Sequence, residues 1–266
     1  MSPLRGRTVA ITGAARGIGA AVAEEVVRRG GRVLIGDLDV EAVAATAARL
    51  GPAATSGPLD VTSDDSYSAW LALADVDALV SNAGVMWVGS FDEEPAGAGE
   101  KMMDVNFWGV VRGTRLVLPS MKARGRGHLV TVASVASYVV PKGEATYGAS
   151  KHAVHGWLKA VREELRGSGI EVSVVMPAVV DTVLAAGTEA GGVTRLSPAE
   201  VAVAVADVLE KPRFEVFVPG RVAVLLRLLA LLPQRGRDVL YARMVPDQVR
   251  SGDKAKRAEY ESKHVL

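Results

Sequence analysis

Short apolar runs alternate with longer stretches of helical spacing along most of this chain. Such runs are typical of strands buried on both faces of a sheet. The pattern predicts strands at 7–11, 32–36, 77–80, 128–133 and 170–176, and a short strand that ends at 59–61. It predicts helices at 40–50, 66–74, 100–124 and 146–166, and another after residue 19. This alternation indicates an α/β protein whose parallel sheet is covered on both faces.

The chain has the length of one domain of this class. No internal repeat and no linker rich in Pro, Gly and Ser divides its 266 residues, so residues 1–250 are interpreted as a single domain. From Arg250 onward the residues are charged and lack apolar periodicity. Residues 251–266 are therefore predicted to form a solvated, disordered tail.

One apolar segment, VAVLLRLLALL at 222–232, leaves two interpretations open. It is too short to cross a bilayer, which takes about twenty residues. A helix buried over the substrate pocket or against another subunit is favoured. The alternative is a helix lying in a membrane surface, with Arg221, Arg227, Arg235 and Arg237 near lipid headgroups. Apolar residues on nearly every side of the helix argue against the membrane.

Composition narrows the class of protein. The formal charge of +1 and the 49% hydrophobic content suggest neither a disordered chain nor a nucleic-acid partner. The absence of cysteine excludes disulfides and fits a cytoplasmic location, and residues 1–6 leave no room for a signal peptide. His152 and His155 lie one helical turn apart, but no third ligand accompanies them, so no metal site is predicted.

The segment TGAARGIG, residues 12–19, lies between the first strand and the helix after it. In that position Gly13 permits a sharp turn, Gly17 lets the backbone approach a pyrophosphate, and Gly19 lets helix and strand pack closely. The second strand ends at Asp37, an acid placed to accept hydrogen bonds from an adenosine ribose. The combination predicts a dinucleotide site at the carboxyl ends of the strands.

A second motif, YGASK, places Tyr147 and Lys151 one turn apart on a predicted helix. An ammonium near the phenol is expected to lower its pKa and make Tyr147 a proton carrier. Ser134, at the end of a strand, is expected to donate a hydrogen bond to the reacting oxygen. Asn106 is expected to anchor a water that relays protons to Lys151.

These motifs resemble the short-chain dehydrogenase/reductase family over residues 4–220. The resemblance implies a single-domain Rossmann fold, a doubly wound parallel sheet with helices on both faces. It implies an NAD(P)-dependent oxidoreductase with the catalytic tetrad Asn106, Ser134, Tyr147 and Lys151. It also implies cofactor contacts at Gly13, Arg16, Gly17, Ile18, Gly19, Asp37, Asp60, Val61, Asn82, Ala83, Gly84, Tyr147, Lys151, Pro177, Val180 and Thr182. Two residues depart from the family pattern, Ala178 in place of Gly and Thr131 in place of Asn.

Two residues bear on the choice of cofactor. The Asp37 carboxylate would repel a 2′-phosphate, which favours NAD, whereas Arg16 would attract that phosphate and favour NADP. NAD is preferred because a carboxylate at the ribose is the more direct effect.

The loops around the tetrad, 135–146, 86–88 and a glycine-containing lid at 183–196, are mostly apolar. They predict a hydrophobic secondary alcohol or ketone, such as a steroid, terpenoid, retinoid or lipid-derived compound. The alternatives are a catalytically silent nucleotide-binding protein and the same enzyme held at a membrane by residues 222–232. By resemblance, a homodimer or homotetramer is expected.

Overall fold

Seven strands form one parallel sheet in the computed structural model, which describes residues 4–192 and 194–266. The strands are β1 Thr8–Thr12, β2 Arg32–Asp37, β3 Ala54–Pro58, β4 Ala78–Ser81, β5 Gly127–Val132, β6 Ile170–Pro177 and β7 Glu215–Val218. Their order across the sheet is β3-β2-β1-β4-β5-β6-β7. The expected α/β fold with a parallel sheet is confirmed.

Helices follow most of the strands. They are α1 Gly17–Arg28, α2 Val40–Leu50, α3 Asp64–Leu71, α4 Ala98–Met103, α5 Gly109–Arg124, α6 Ala145–Glu164 and α7 Pro198–Glu210. A π-helical turn at Asp104–Trp108 joins α4 to α5. Beyond the sheet come α8 Arg221–Ala230, α9 Gln234–Met244, α10 Gln248–Ser251 and α11 Lys254–His264.

The apolar runs are continuous because both faces of the sheet are buried. In β1, Val9 and Ile11 belong to one hydrophobic core, which includes Val22 of α1 and Val205 of α7. Ala10 between them belongs to the opposite core, with residues of α3, α5 and α6. Alternate side chains of a strand point to opposite faces, so a sheet buried on both faces needs apolar residues at every position.

The strand order reverses between β1 and β4. The chain moves outward from β1 to β2 and β3, then returns to place β4 on the other side of β1. The connections diverge there and leave a crevice beyond the carboxyl ends of the two strands, where ligands of such sheets bind. The reversal therefore brings together the polar residues that follow several different strands.

Helix α7 and strand β7 were absent from the predicted elements, although the sequence carries a start signal for α7. Ser197 accepts a hydrogen bond from the Glu200 N–H, and the Glu200 carboxylate accepts one from the Ser197 N–H. This capping box, with Pro198 in the first turn, is a recognised helix start. Strand β7 has only four residues and forms the sheet edge beside β6.

The apolar segment 222–232 forms a helix that is buried along one stripe of this single chain, and burial of the rest against another subunit stays a prediction. Helix α8 ends at Ala230, and Leu228 and Leu231 are 59% and 82% exposed, whereas Val222 and Leu229 are buried. A helix that is apolar on all sides can bury only the stripe that packs on the protein, here against the central cavity. No helix among the described residues is long and apolar enough to cross a membrane.

The prediction that residues 251–266 form a disordered tail is also wrong. Helix α11 spans most of this segment, and Arg257, Tyr260 and Glu261 in it are buried. The Arg257 guanidinium donates to the Met86 carbonyl at 2.6 Å, the Leu184 carbonyl at 2.8 Å and the Glu261 carboxylate at 2.9 Å. A charged residue can be buried when its donors are all matched by acceptors, and composition does not reveal such a match.

Replacement of Arg257 by Met should therefore weaken the fold. It leaves the buried carbonyl oxygens without this donor and the Glu261 carboxylate with the Val88 N–H but no cation, at an expected cost of about 3 kcal/mol in the free energy of unfolding. Urea denaturation followed by circular dichroism measures the loss.

The matched control is Lys256→Met on the same helix, because the ion pair of Lys256 with Asp253 is exposed. The control should leave the urea midpoint nearly unchanged. Equal effects of the two substitutions would show that the buried ion pair does not hold α11.

Candidate active site

The glycine turn between β1 and α1 has the geometry that the sequence predicts. Gly13 and Gly17 have φ angles of +65° and +59°, a backbone region that favours glycine. A Cβ on Gly19 would lie 2.3 Å from the Gly13 carbonyl oxygen, so any side chain there would push α1 away from the strand. The turn therefore leaves an open backbone surface at the N-terminus of α1, which suits an anion.

Hydrogen bonds from Thr12 and Asn82 fix this turn to the end of β4. The Thr12 hydroxyl accepts from the N–H groups of Asn82 and Ala83, each at 3.0 Å. The Asn82 amide donates to the carbonyls of Thr12 and Gly13, also at 3.0 Å. Thr12 is a site residue for which the sequence suggested no separate role, although it begins the glycine motif.

The Asp37 carboxylate lies at the end of β2 beside the glycine turn. It accepts hydrogen bonds from the Ala15 N–H at 2.9 Å and the Asp39 N–H at 3.1 Å. The Arg16 guanidinium forms an ion pair with the Asp39 carboxylate. The positive charge that would attract a 2′-phosphate is thus paired with an acid next to Asp37.

Tyr147 and Lys151 project from α6 into the same buried region, as their spacing predicts. Only 7% of Tyr147 and 5% of Lys151 are exposed, and the Lys151 Nζ lies 5.4 Å from the centroid of the Tyr147 ring. Ser134, which follows β5, lies near enough to Tyr147 to lower the pKa of its phenol, and its hydroxyl accepts a hydrogen bond from the Ala136 N–H at 3.1 Å. The phenol, hydroxyl and amine therefore form one cluster.

Burial has the largest effect on the pKa of Tyr147 in this structure, and the lowering expected from Lys151 stays a prediction. Burial raises the pKa of Tyr147, the charge of Glu144 raises it further, and the Ser134 hydroxyl opposes them. Burial also lowers the pKa of Lys151 to about 8. The physical reason is that both groups lose water together, which disfavours the charged form of each.

Asn106 is buried in the π-helical turn. Its side-chain amide donates to the Val85 carbonyl at 2.9 Å and the Ser150 hydroxyl at 3.0 Å, and its oxygen accepts from the Val85 N–H at 2.9 Å. These contacts hold the chain near Gly84, and the role of Asn106 in anchoring a water stays a prediction. A Cβ on Gly84 would lie 3.5 Å from the Lys151 Nζ, which places this segment beside the amine.

One cavity of about 710 Å³ joins the glycine turn to Tyr147. Its wall includes all the predicted site residues except Gly19 and Asn106, which stand behind it. These wall residues are Gly13, Arg16, Gly17, Ile18, Asp37, Asp60, Val61, Asn82, Ala83, Gly84, Ser134, Tyr147, Lys151, Pro177, Val180 and Thr182. The reversal of strand order thus brings residues from six strand ends into one crevice.

The end of the cavity near α8 and α9 is apolar. Val139, Pro141 and Leu184 lie there with residues of the two helices: Val222, Leu225, Leu226, Leu229, Tyr241, Met244 and Val245. The predicted lid, 183–196, contributes to this wall. Its described part is tied down at Leu196, whose N–H donates to the Val179 carbonyl at 2.9 Å, and at Gly187, whose carbonyl accepts from the Asp253 N–H at 2.8 Å. Val193 lies outside the described residues.

Several wall residues were not anticipated from the sequence. Glu144, Tyr260, Lys263 and His264 line the cavity, the last three on α11. Because residues 251–266 were predicted to be disordered, the α11 residues were not expected to contribute to the site. Glu144 lies within the loop 135–146 that was predicted to surround the substrate, although the sequence did not single it out.

The chain is similar to proteins of known family. Residues 7–191 match the family model described as short chain dehydrogenase. The 1-deoxy-11-beta-hydroxypentalenate dehydrogenase of Streptomyces exfoliatus is 36% identical over 239 residues, which cover 84% of this chain and 87% of the relative.

Two solved structures are also similar. A short chain dehydrogenase/reductase from Burkholderia phymatum in complex with NAD has a TM-score of 0.80 and 27% identity, covering 93% of this chain and 99% of that one. An alcohol dehydrogenase from the archaeon Thermococcus sibiricus, complexed with 5-hydroxy-NADP, has a TM-score of 0.72 and 27% identity, covering 79% of this chain and 95% of that one. The glycine turn, the Tyr147–Lys151 pair and these matches together establish that the chain belongs to the short-chain dehydrogenase/reductase family of oxidoreductases.

Proposed function

We propose that this protein is an NAD-dependent dehydrogenase that interconverts a hydrophobic secondary alcohol and its ketone, with Tyr147 as the general acid and base. The observation that carries the proposal is the buried Tyr147 phenol, which shares one cavity with the glycine turn, Ser134 and Lys151. The relative from Streptomyces exfoliatus, named as a dehydrogenase of a hydroxylated compound, supports the reaction class.

The residues of the cavity fit a dinucleotide. The backbone at Gly13 and Gly17 would face the pyrophosphate at the start of α1, because the two positive φ angles and the absent side chains leave that surface open. Asp37 would bind the adenosine ribose, and Lys151 the nicotinamide ribose. The further contacts would be Asp60 and Val61 with adenine, residues 82–84 along the cleft, and Pro177, Val180 and Thr182 with the carboxamide. The bound nicotinamide supplies the hydride acceptor or donor.

Tyr147 and the two polar side chains beside it have separate roles in the transfer of the proton. During alcohol oxidation the Tyr147 phenolate takes the hydroxyl proton as the carbon loses its hydride, and during ketone reduction the phenol returns that proton. Ser134 donates a hydrogen bond to the substrate oxygen and holds it in line. Lys151, when protonated, favours the phenolate by charge attraction.

The apolar half of the cavity supports a hydrophobic substrate. Leucine and valine side chains from α8 and the 135–141 segment cover the space beyond Tyr147. Burial of a hydrocarbon ring there would contribute about 25 cal/mol per Å² of apolar surface removed from water.

We also propose a homodimer or homotetramer in which α5 and α6 meet a second copy. Trp108, beside the start of α5, is 45% exposed and packs edge-on against Phe107, whose ring in turn lies 6.5 Å from that of Trp157 on α6. An exposed aromatic cluster of this kind is typical of a protein interface.

Substitution of Tyr147 by Phe should abolish turnover while cofactor affinity changes little. The phenyl ring keeps the packing but cannot carry a proton, so kcat should fall by about 10³-fold or more. Absorbance of the reduced nicotinamide measures turnover, and fluorescence titration measures cofactor binding.

Tyr138→Phe serves as the control for the loss of a phenol. The Tyr138 hydroxyl bonds Glu215 and does not line the cavity, so turnover should be unchanged. A Tyr147→Phe variant that kept the wild-type kcat would refute the assignment of Tyr147.

The two directions of reaction should depend differently on pH. Burial raises the pKa of Tyr147, so the phenolate needed for oxidation is scarce at neutral pH. We expect kcat/KM for alcohol oxidation to rise from about pH 6 to about pH 10, and that for ketone reduction to stay level and then fall as the phenol ionises. Steady-state rates in both directions check this, and an oxidation rate independent of pH would contradict it.

Asp37 should set a preference for NAD over NADP. Its carboxylate disfavours a 2′-phosphate, and Arg16 is paired with Asp39. We expect kcat/KM to be at least about tenfold higher with NAD, and Asp37→Ser to reduce or reverse that ratio. Glu41→Gln, a charge removed from the exposed start of α2, is the control. A wild-type preference for NADP would show that Arg16, and not Asp37, determines the cofactor preference.

A further inference from the structure

Glu144 is a buried acid in the wall of the cavity, at the residue that precedes α6. Only 7% of it is exposed, and it lines the same cavity as Tyr147. It is the N-cap residue of α6 and lies three residues before Tyr147 in the chain. The charge of Glu144 raises the pKa of the Tyr147 phenol.

The Glu144 carboxyl has no hydrogen-bond donor from the protein in residues 4–192 and 194–266. It occupies the N-cap position of α6, yet its side chain caps none of the free N–H groups there. The Arg257 guanidinium attracts it through space, but Arg257 donates its hydrogen bonds to Met86, Leu184, Ala186 and Glu261. The Glu144 oxygens are not among the fully buried polar atoms without a partner in the described residues, so they face the cavity, where a ligand can donate to them.

From this placement we propose that Glu144 binds a second hydroxyl group of the substrate, so that the preferred substrate is an apolar secondary alcohol with another hydroxyl elsewhere on its skeleton. This inference rests on the proposed function and specifies its substrate class. The reacting carbon lies at Tyr147 and Ser134, the hydrocarbon fills the space lined by α8 and α9, and the second hydroxyl donates to Glu144.

The surroundings of Glu144 favour a hydroxyl over a charged group. An ammonium would bring a second cation near Arg257 and lose its water to an apolar wall, and a carboxylate would meet the acid itself. Burial raises the pKa of Glu144 to about 7, so the neutral acid is also present near neutral pH. A hydroxyl can donate to the ionised form and exchange hydrogen bonds with the neutral form.

The first test needs no substrate and compares thermal stability. Glu144→Leu removes a carboxyl that makes no hydrogen bond to the described residues and is only attracted through space by Arg257, so Tm should change little, and Glu144→Gln should behave similarly. A clear fall in Tm for both variants would mean that Glu144 has a structural partner, and it would overturn the proposal.

The second test uses matched alcohols with NAD. Cyclohexanol is compared with the 1,2-, 1,3- and 1,4-cyclohexanediols, and 5α-androstan-3-ol with 5α-androstane-3,17-diol. With the wild-type protein, kcat/KM for at least one diol should exceed that of its mono-ol by about tenfold, as expected for a hydrogen bond to a charged group. 3-Hydroxycyclohexanecarboxylate should be a poorer substrate than cyclohexanol.

The variants separate binding at Glu144 from catalysis. Glu144→Leu should raise the KM of the diol but not that of the mono-ol, so the preference for the diol is lost, and any change in kcat through the pKa of Tyr147 should be shared by both alcohols. Glu144→Gln, which keeps an acceptor, should retain most of the preference. Equal losses for diol and mono-ol, or a wild-type preference for the mono-ol or the carboxylate, would overturn the role of Glu144.

Binding of the same pairs to the NADH complex, followed by saturation-transfer NMR, gives a readout that does not depend on turnover. The diol should bind more tightly than the mono-ol to the wild-type protein, and equally to Glu144→Leu. If no alcohol is oxidised with either cofactor but this difference in binding is present, the proposed function fails and the assignment of Glu144 stands. If alcohols are oxidised but no diol binds better, the assignment of Glu144 fails alone.

Discussion

The close contact between the glycine turn and the ends of β1 and β4 is the constraint on which the site depends. The Gly13 carbonyl oxygen occupies the space that any side chain at residue 19 would need, and the Asn82 amide binds that same oxygen. This contact fixes the start of α1 over the crevice where the strand order reverses. If α1 moved away, the surface suited to a pyrophosphate would no longer face the cluster around Tyr147.

Burial of polar groups takes two different forms around the cavity. Arg257, Glu261 and Asn106 are buried with their hydrogen bonds made, and they hold α11, the lid segment and the chain after β4 in place. The cavity wall also contains three buried side chains whose polar atoms remain available to a ligand: Tyr147, Lys151 and Glu144. The first group stabilises the walls. The second group reduces stability and reserves hydrogen bonds for a ligand, as is common at functional sites.

The two ends of the cavity require different kinds of residue. The end lined by the glycine turn and Asp37 is formed by strand ends and tight turns, where the residue type at each position follows from backbone geometry and charge. The other end is formed by α8, α9 and α11 after the last strand, and it needs only apolar side chains of suitable shape. Specificity at that end comes from single polar groups within the apolar wall, as proposed for Glu144.

The sequence by itself determined the α/β class, most of the strands and helices, and the motifs that line the cofactor end, because these depend on local periodicity and on glycine, Asp, Tyr and Lys at fixed spacing. Only the tertiary structure determined which side chains of residues 222–232 are exposed and that most of residues 251–266 form a packed helix. Whether Leu228 is exposed, or Arg257 buried, depends on which distant carbonyls and side chains lie opposite, such as Met86 and Leu184. The pKa of Tyr147 is set in the same way, because the water that it loses is displaced by residues far away in the chain.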